Sequence, residues 1–217
     1  MQIHHLSENN SVLNHFLGQI RDVNIHNDSL RFRKNMERIG EIMAYEMSKN
    51  LDYQAVAIST PLGTKATHYI KNPLVICSIL RAGLTLHNGF LNYFDAAENG
   101  FISAYRHHPN NDDFFEIIVQ YQAVADINNK TVVVVDPMLA TGQSIVAVFK
   151  RLMERGTPSE IHIAVVIAAP EGIAHLETEL PDTCHLWIAA TDDHLNEHSY
   201  IVPGLGDAGD LAYGQKL

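Results

Sequence analysis

The chain has 217 residues, 15 of them basic and 25 acidic, for a formal charge of −10, with 46% hydrophobic residues and two cysteines. That length suits one well-buried α/β domain and leaves no room for a second full one. The acidic balance argues against broad binding to a nucleic-acid backbone. No apolar stretch reaches transmembrane length, and the opening MQIHHLSENN lacks the cationic and apolar pattern of a signal peptide, so no membrane partner is expected. Cys77 and Cys184 sit in apolar runs and read as buried, reduced thiols, which fits a cytoplasmic protein.

In chain order, Phe32, Met36, Ile39, Met43 and Met47 recur at spacings of three and four, which predicts an amphipathic helix over residues 30–50. Short apolar runs at residues 55–59, 74–79, 102–105, 116–121, 131–135, 161–168 and 185–189 predict strands. Between several of them lie helical patterns, at residues 84–93, at residues 144–155 closed by Gly156 as a C′ residue, and at residues 171–179 entered through Pro170. Strands alternating with helices imply an α/β fold with a parallel sheet covered on both faces.

The stretch TVVVVDPMLATGQS, residues 131–144, carries the most chemistry. Its β-branched run reads as a buried parallel strand, so Asp136 stands at the carboxyl end, where open α/β sheets bind ligands. After it, Ala140, Thr141, Gly142 and Ser144 offer backbone N–H groups and hydroxyls at the start of a helix. Such a turn can hold a phosphate with oriented amides and the positive end of the helix dipole. Asp136 would repel that phosphate but can accept hydrogen bonds from sugar hydroxyls. Acid plus phosphate cradle points to a ribose 5-phosphate group; taken alone, the stretch could also be a strand–turn–helix unit without a ligand. Two arginines add to it. Arg81 follows the strand of residues 74–79 and Arg106 ends the run ISAYR, and guanidinium forks suit a multiply anionic group.

This segment resembles the phosphoribosyl-diphosphate loop of the type I phosphoribosyltransferases, and DPMLATG is similar to the version found in the uracil phosphoribosyltransferases. The likeness runs with gaps from about Arg21 to the end of the chain. It implies a parallel sheet flanked by helices, with a hood or arm built from N- and C-terminal segments. The single domain would comprise an N-terminal helical arm over about residues 1–50 and a base-binding segment over about residues 190–217. By the resemblance, Arg81, Arg106, Asp136, Pro137, Met138, Leu139, Ala140, Thr141, Gly142, Gln143, Ser144 and Asp207 bind the diphosphate donor. Asp136, Arg106 and Asp207 are the expected catalytic residues.

The segment LNEHSYIVPGLGDAGD, residues 195–210, holds two misleading motifs. His194 to His198 match H-x-x-E-H, a zinc pattern that requires a helix, but Pro203, Gly204 and the turn formers Asp192, Asp193 and Asn196 disfavour one. Gly204 to Gly209 spell G-x-G-x-x-G, yet a dinucleotide site needs a further strand and an acid about twenty residues on, and the chain stops first. A glycine-rich backbone can instead meet a flat ligand directly. A run of donor, acceptor, donor would match the O4, N3–H, O2 edge of uracil, and cytosine would strand buried polar groups there. YIVPGLGDAGD resembles the uracil-binding stretch of the same family, which assigns base contacts to Ile201, Gly206, Asp207 and Ala208.

The resemblance therefore implies transfer of phosphoribose from 5-phosphoribosyl 1-diphosphate to uracil, giving UMP and diphosphate, a pyrimidine-salvage reaction. Mg²⁺ would arrive mainly on the donor, with no metal held by the protein alone. It also suggests a homodimer or higher homo-oligomer and a GTP effector, which the residues themselves do not show. Three positions depart from the family pattern: Gln143 where a second glycine is common, Ser78 for a proline, and Asn88 for an acid. His107, His108 and residues 110–113 differ from the usual hood. A fold-sharing RNA-binding regulator, a transferase for another base, and a structural protein are the rival readings; the first needs a basic face and the second a different base segment.

Overall fold

The computed structural model describes residues 1–107 and 116–216. The expected hood positions His108 and residues 110–113 lie outside the described residues, as do the side chains of Arg106 and His107. The chain begins with strand β1 (Gln2–His5), helices α1 (Val12–Arg21) and α2 (Ser29–Ser48), and strands β2 (Tyr53–Thr60), β3 (Gly63–Ile70) and β4 (Leu74–Leu80). Helix α3 (Gly83–Leu91) leads to strands β5 (Glu98–His107), β6 (Glu116–Val124) and β7 (Thr131–Leu139), then helix α4 (Gln143–Met153). Strand β8 (Glu160–Ala168), helix α5 (Pro170–Glu179), strands β9 (Cys184–Thr191), β10 (His194–Leu195) and β11 (Ile201–Val202), and helix α6 (Ala208–Tyr213) complete it.

Seven strands form the central sheet in the order β1-β9-β8-β7-β4-β5-β6. Every neighbouring pair is parallel except β5 and β6, which run antiparallel. The expected α/β fold, a parallel sheet flanked by helices, is therefore present with one reversed edge strand. Alternating residues of the central strands divide between two cores. Ile76, Val133, Val135, Ala164 and Val166 pack toward α1, α2 and α3, whereas Val75, Cys77, Val132, Val134, Ile163 and Val165 pack toward α4 and α5. Burial on both faces explains why β7 opens with an uninterrupted apolar run rather than an alternation. The methionines Met36, Met43 and Met47 of α2 are fully buried, as their spacing predicts.

The connections place the site. From β4 the chain leaves through α3 on one face, and from β7 it leaves through α4 on the other. The winding thus reverses between two adjacent strands, which opens a crevice at their carboxyl ends. Pairing of β4 with β7 stops at Ser78 and Val135, while β7 continues along β8 to Leu139. Pro137 falls in this one-sided stretch, where a missing N–H does not interrupt a central ladder.

Several elements differ from the sequence expectation. Helix α4 ends at Met153 with Glu154 as its C-cap, so Gly156 is not the C′ residue. It is small for another reason: a Cβ there would lie 2.7 Å from Oδ1 of Asn128. Strands β1 and β3 and helices α1 and α6 were not among the predicted elements. Ser11 and Asn14 form a capping box on α1, which buries Leu13, Leu17 and Ile20. Strand β3 pairs with β2 in a hairpin whose residues are mostly exposed, so no apolar alternation marks it.

Candidate active site

A cavity of about 660 Å³ opens at the crevice. Asp136, Met138, Ala140, Thr141, Gly142 and Ser144 line one side of it; Ile201, Gly206, Asp207 and Ala208 line the other. Two segments some sixty residues apart in sequence are thus brought face to face, as the motifs require. Pro137 and Leu139 turn into the protein, Leu139 being fully buried in the core beneath α4 and α5. Gln143 is exposed and does not line the cavity, so the departure at this position puts an amide in solvent rather than in the loop's grip. Arg81 lines an adjoining cavity of about 160 Å³ together with Asp136, Ser144 and Asp207. Arg106 occupies β5 opposite Ile117 of β6.

The loop after β7 is built to present amides. Gly142 is the N-cap of α4 at φ +79°, and no side chain caps the helix, so its first-turn N–H groups keep their hydrogen-bonding capacity for a ligand. A Cβ at Gly142 would stand 3.1 Å from the carbonyl oxygen of Gly172 and 3.2 Å from Cδ2 of His175. Both the left-handed backbone and the packing against α5 demand glycine.

Asp136 and Asp207 sit in opposite electrostatic states. Burial pushes the Asp136 carboxyl up to about 7, only partly offset by the Met138 N–H that donates to its Oδ1 at 3.2 Å. Burial also works against the Asp207 carboxylate, but the Asp210 N–H and the Lys216 ammonium outweigh it and hold its pKa below the usual carboxylate range. Those contacts measure 3.0 Å from the Asp210 amide to Oδ1 and 3.2 Å from Lys216 Nζ to Oδ2. Asp207 therefore also serves as the N-cap of α6. Arg81 donates to Asp210 Oδ1 at 2.7 Å and to the Gly214 carbonyl at 3.2 Å, which leaves part of its donor fork for a ligand.

The glycine-rich segment hangs from buried anchors. Ile201, Leu205 and Ala208 are buried, and between them Gly204 and Gly206 take φ +62° and +93°. Among the described residues, no atom lies within 4 Å of where a Cβ of Gly206 would be, and its backbone borders the cavity. The same segment disposes of the zinc motif: His194 lies in a two-residue strand and His198 in the following turn, both exposed, and no helix brings the two rings onto one face. Among residues that the sequence reading did not name, Lys216, Tyr105, Ser199 and Tyr200 also line the cavity. Lys216 carries no local signal, since only the turn of α6 carries it back to Asp207.

The family model described as uracil phosphoribosyltransferase matches residues 7–215. The uracil phosphoribosyltransferase of Porphyromonas gingivalis is 49% identical over 217 residues, covering 100% of both chains. That of Staphylococcus haemolyticus is 40% identical over 206 residues, covering 94% of this chain and 95% of its own. A solved structure of an Aquifex aeolicus protein superposes with a TM-score of 0.87 at 29% identity, covering 98% of each chain. With a family model matched over nearly its whole length and a full-length relative at 49% identity, the chain belongs to the uracil phosphoribosyltransferase family.

Proposed function

We propose that this protein transfers the phosphoribosyl group of 5-phosphoribosyl 1-diphosphate to N1 of uracil, releasing diphosphate and UMP. The observation that carries the reading is that the phosphate-type loop and the glycine-rich segment line one cavity, with Asp136 on its wall just past the point where the pairing of β7 with β4 stops. The amides around Gly142 and Ser144 receive the 5-phosphate, and Asp136 accepts hydrogen bonds from the ribose hydroxyls. Arg81, Arg106 and the newly recognised Lys216 neutralise the leaving diphosphate. The backbone of Ile201, Gly206 and Ala208 reads the uracil edge. Displacement at the anomeric carbon builds positive charge on the sugar, so the protein's work is alignment and electrostatic stabilisation. Asp207, held anionic by Lys216 and the Asp210 amide, is a poor proton acceptor and acts as a fixed negative charge on the donor side.

The carboxylates fit a divalent cation that arrives on the donor. Among the described residues, Asp136 and Asp207 are the two acids on the cavity wall, and no group of three or more His, Cys, Asp or Glu is assembled to hold a metal. Mg²⁺ bound with the donor supplies charge neutralisation on the diphosphate.

A second copy of the chain is the partner that the exposed hairpin suits. Strands β2 and β3 pair over eight residues each, with Leu62 fully exposed at the tip and Tyr53 and Tyr69 about half exposed. An isolated two-stranded hairpin is marginal in water, so a covering surface is expected. Sedimentation of the wild type beside a variant carrying Val56→Lys and Ile58→Lys tests this, with a dimer that falls to monomer as the expected result.

Turnover with Mg²⁺, the diphosphate donor and uracil, cytosine, hypoxanthine or orotate tests the activity. UMP and diphosphate formed from uracil alone is the expected outcome; no product from any base overturns the reading. Repeating the assay with GTP tests the effector.

A further inference from the structure

Helix α1 lies outside the cavity, yet its last residue holds the base-side segment in place. Arg21 ends α1, at the negative end of the helix dipole where a cation is favoured. Its Nη1 donates to Asp192 Oδ2 at 2.8 Å and also to the Gly204 carbonyl at 3.0 Å, and its Nη2 donates to Asp192 Oδ1. Asp192 is buried just beyond β9, where its own N–H donates to the Ala168 carbonyl at 2.8 Å. Its Oδ2 in turn accepts the Gly204 N–H at 2.8 Å. Gly204 thus has its N–H taken by Asp192 and its carbonyl by Arg21. Both groups are fixed to scaffold: α1 through Leu13, Leu17 and Ile20, and through Gln19, whose amide oxygen accepts from buried Asn35 of α2 at 2.8 Å.

The conformation so clamped is one open to glycine and not to residues with a Cβ. Gly204 is at φ +62°, and a Cβ there would lie 2.2 Å from the Ile201 carbonyl oxygen. Two residues on, Gly206 borders the cavity, with no atom of the described residues within 4 Å of where a Cβ would be. A flat ligand read by main-chain atoms gains specificity only if those atoms are held to a fraction of an ångström.

We propose that Arg21 and Asp192 are positioning residues, a buckle that sets the Gly204–Gly206 backbone in register with the base and thereby governs affinity and selectivity for the nucleobase rather than for the donor. The inference rests on the activity proposed above. The bidentate pair is the kind of ion pair in which geometry as well as charge is specified, so lysine is a poor substitute.

The test compares wild type, Arg21→Ala, Arg21→Lys and Asp192→Asn. Amide exchange of residues 204–208 should accelerate about tenfold or more in Arg21→Ala while that of residues 140–146 stays unchanged. In turnover, KM for uracil should rise about tenfold or more with the donor KM within about twofold, and millimolar guanidinium, unlike ammonium, should restore part of the loss. Arg21→Lys should recover less than half of it. Asp192→Asn keeps an oxygen for the Gly204 amide and should fold even if Arg21→Ala does not, with an intermediate rise in uracil KM. Unchanged exchange at residues 204–208, or an equal rise in both KM values without guanidinium rescue, overturns the proposal. The exchange arm needs no substrate, so a wild type that fails to make UMP sinks the activity alone.

Discussion

The indole Nε1–H of Trp187 donates to Nδ1 of His162 at 3.0 Å, joining β9 to β8 beneath the sheet's edge. Because Nδ1 accepts, the neutral ring carries its proton on Nε2, which lies 3.2 Å from Glu160 Oε1. Around this pair the ring of His185 stacks on His162 at 4.8 Å, and His4 of the edge strand stacks on Trp187 at 3.8 Å. Nε2 of His4 also sits 3.2 Å from Nδ1 of His185. Three imidazoles and an indole thus attach β1 to the sheet, with Glu160 as the carboxylate that faces them.

Acid should loosen that attachment. Burial first, and then the neighbouring histidines, depress the pKa of both His4 and His185. A histidine whose folded pKa lies below its unfolded value binds fewer protons when folded, so stability is lost as pH falls below about 6.5. Glu160, held low chiefly by the His162 ring, whose Nε2 lies 3.2 Å from its Oε1, adds a loss at still lower pH. Hydrogen exchange, corrected for the intrinsic rate, should show the Leu6 amide, bonded to the Ile188 carbonyl at 2.9 Å, losing protection at about pH 5.5 while β7 and β8 keep theirs. His4→Phe keeps the stack without a titrating group and should blunt the effect; equal acid lability in both proteins would refute the assignment.

Asp136 predicts a trade of stability against activity. With a folded pKa of about 7, its carboxyl retains a proton that the unfolded chain has released by about pH 4, so folding stability falls as pH rises between these values. Asp136→Asn keeps an oxygen for the Met138 N–H and removes the charge. The variant should be more stable than wild type at pH 8, by up to roughly 2–4 kcal/mol, and by less than about half of that margin at pH 5. Turnover should fall about a hundredfold or more. Calorimetry at the two pH values, with one kinetic assay, decides it; a variant no more stable at pH 8 would show that the carboxyl is not under strain.

Gly142→Ala tests the donor loop without touching charge. Alanine at φ +79° costs about 1–2 kcal/mol, and its methyl meets the Gly172 carbonyl and the His175 ring. The expected result is a rise of about tenfold in donor KM with the uracil KM unchanged. An equal rise for both substrates would mean that the loop does not act on the donor alone.

The parts legible in the sequence were those whose physical cause is local. Val132 to Val135 are β-branched because both faces of β7 are covered, and Asp136 is conspicuous because it ends that run. The glycines of the base segment mark backbone that no side chain could share. What stayed hidden depends on distance or on phase. Histidines 4, 162 and 185 become neighbours only through the parallel register of β1, β9 and β8. Lys216 reaches the cavity only because α6 turns the chain back, and Arg21 meets Gly204 only because α1 docks on α2. Gln143 departs from the family pattern at a position that the first turn of α4 points outward, and the letter alone does not say which way a helix begins.

Two glycines two residues apart should fail in different ways when given a methyl group. At Gly204 the new carbon would lie 2.2 Å from the Ile201 carbonyl, so the turn has to open and the Asp192 and Arg21 contacts break with it. Gly204→Ala should therefore lower the melting temperature and weaken uracil binding together, by about 2 kcal/mol or more in stability. At Gly206 the space is empty, and only the φ of +93° resists. Gly206→Ala should stay folded, with a stability loss of about 1–2 kcal/mol, but set a methyl group at the edge of the cavity where a base would lie. Its donor KM should remain within about twofold of wild type while the uracil KM rises about tenfold or more. If Gly206→Ala binds uracil as well as wild type does, the glycine-rich backbone is not the surface that meets the base, and the base side of the cavity must be sought at Tyr105 and Tyr200 instead.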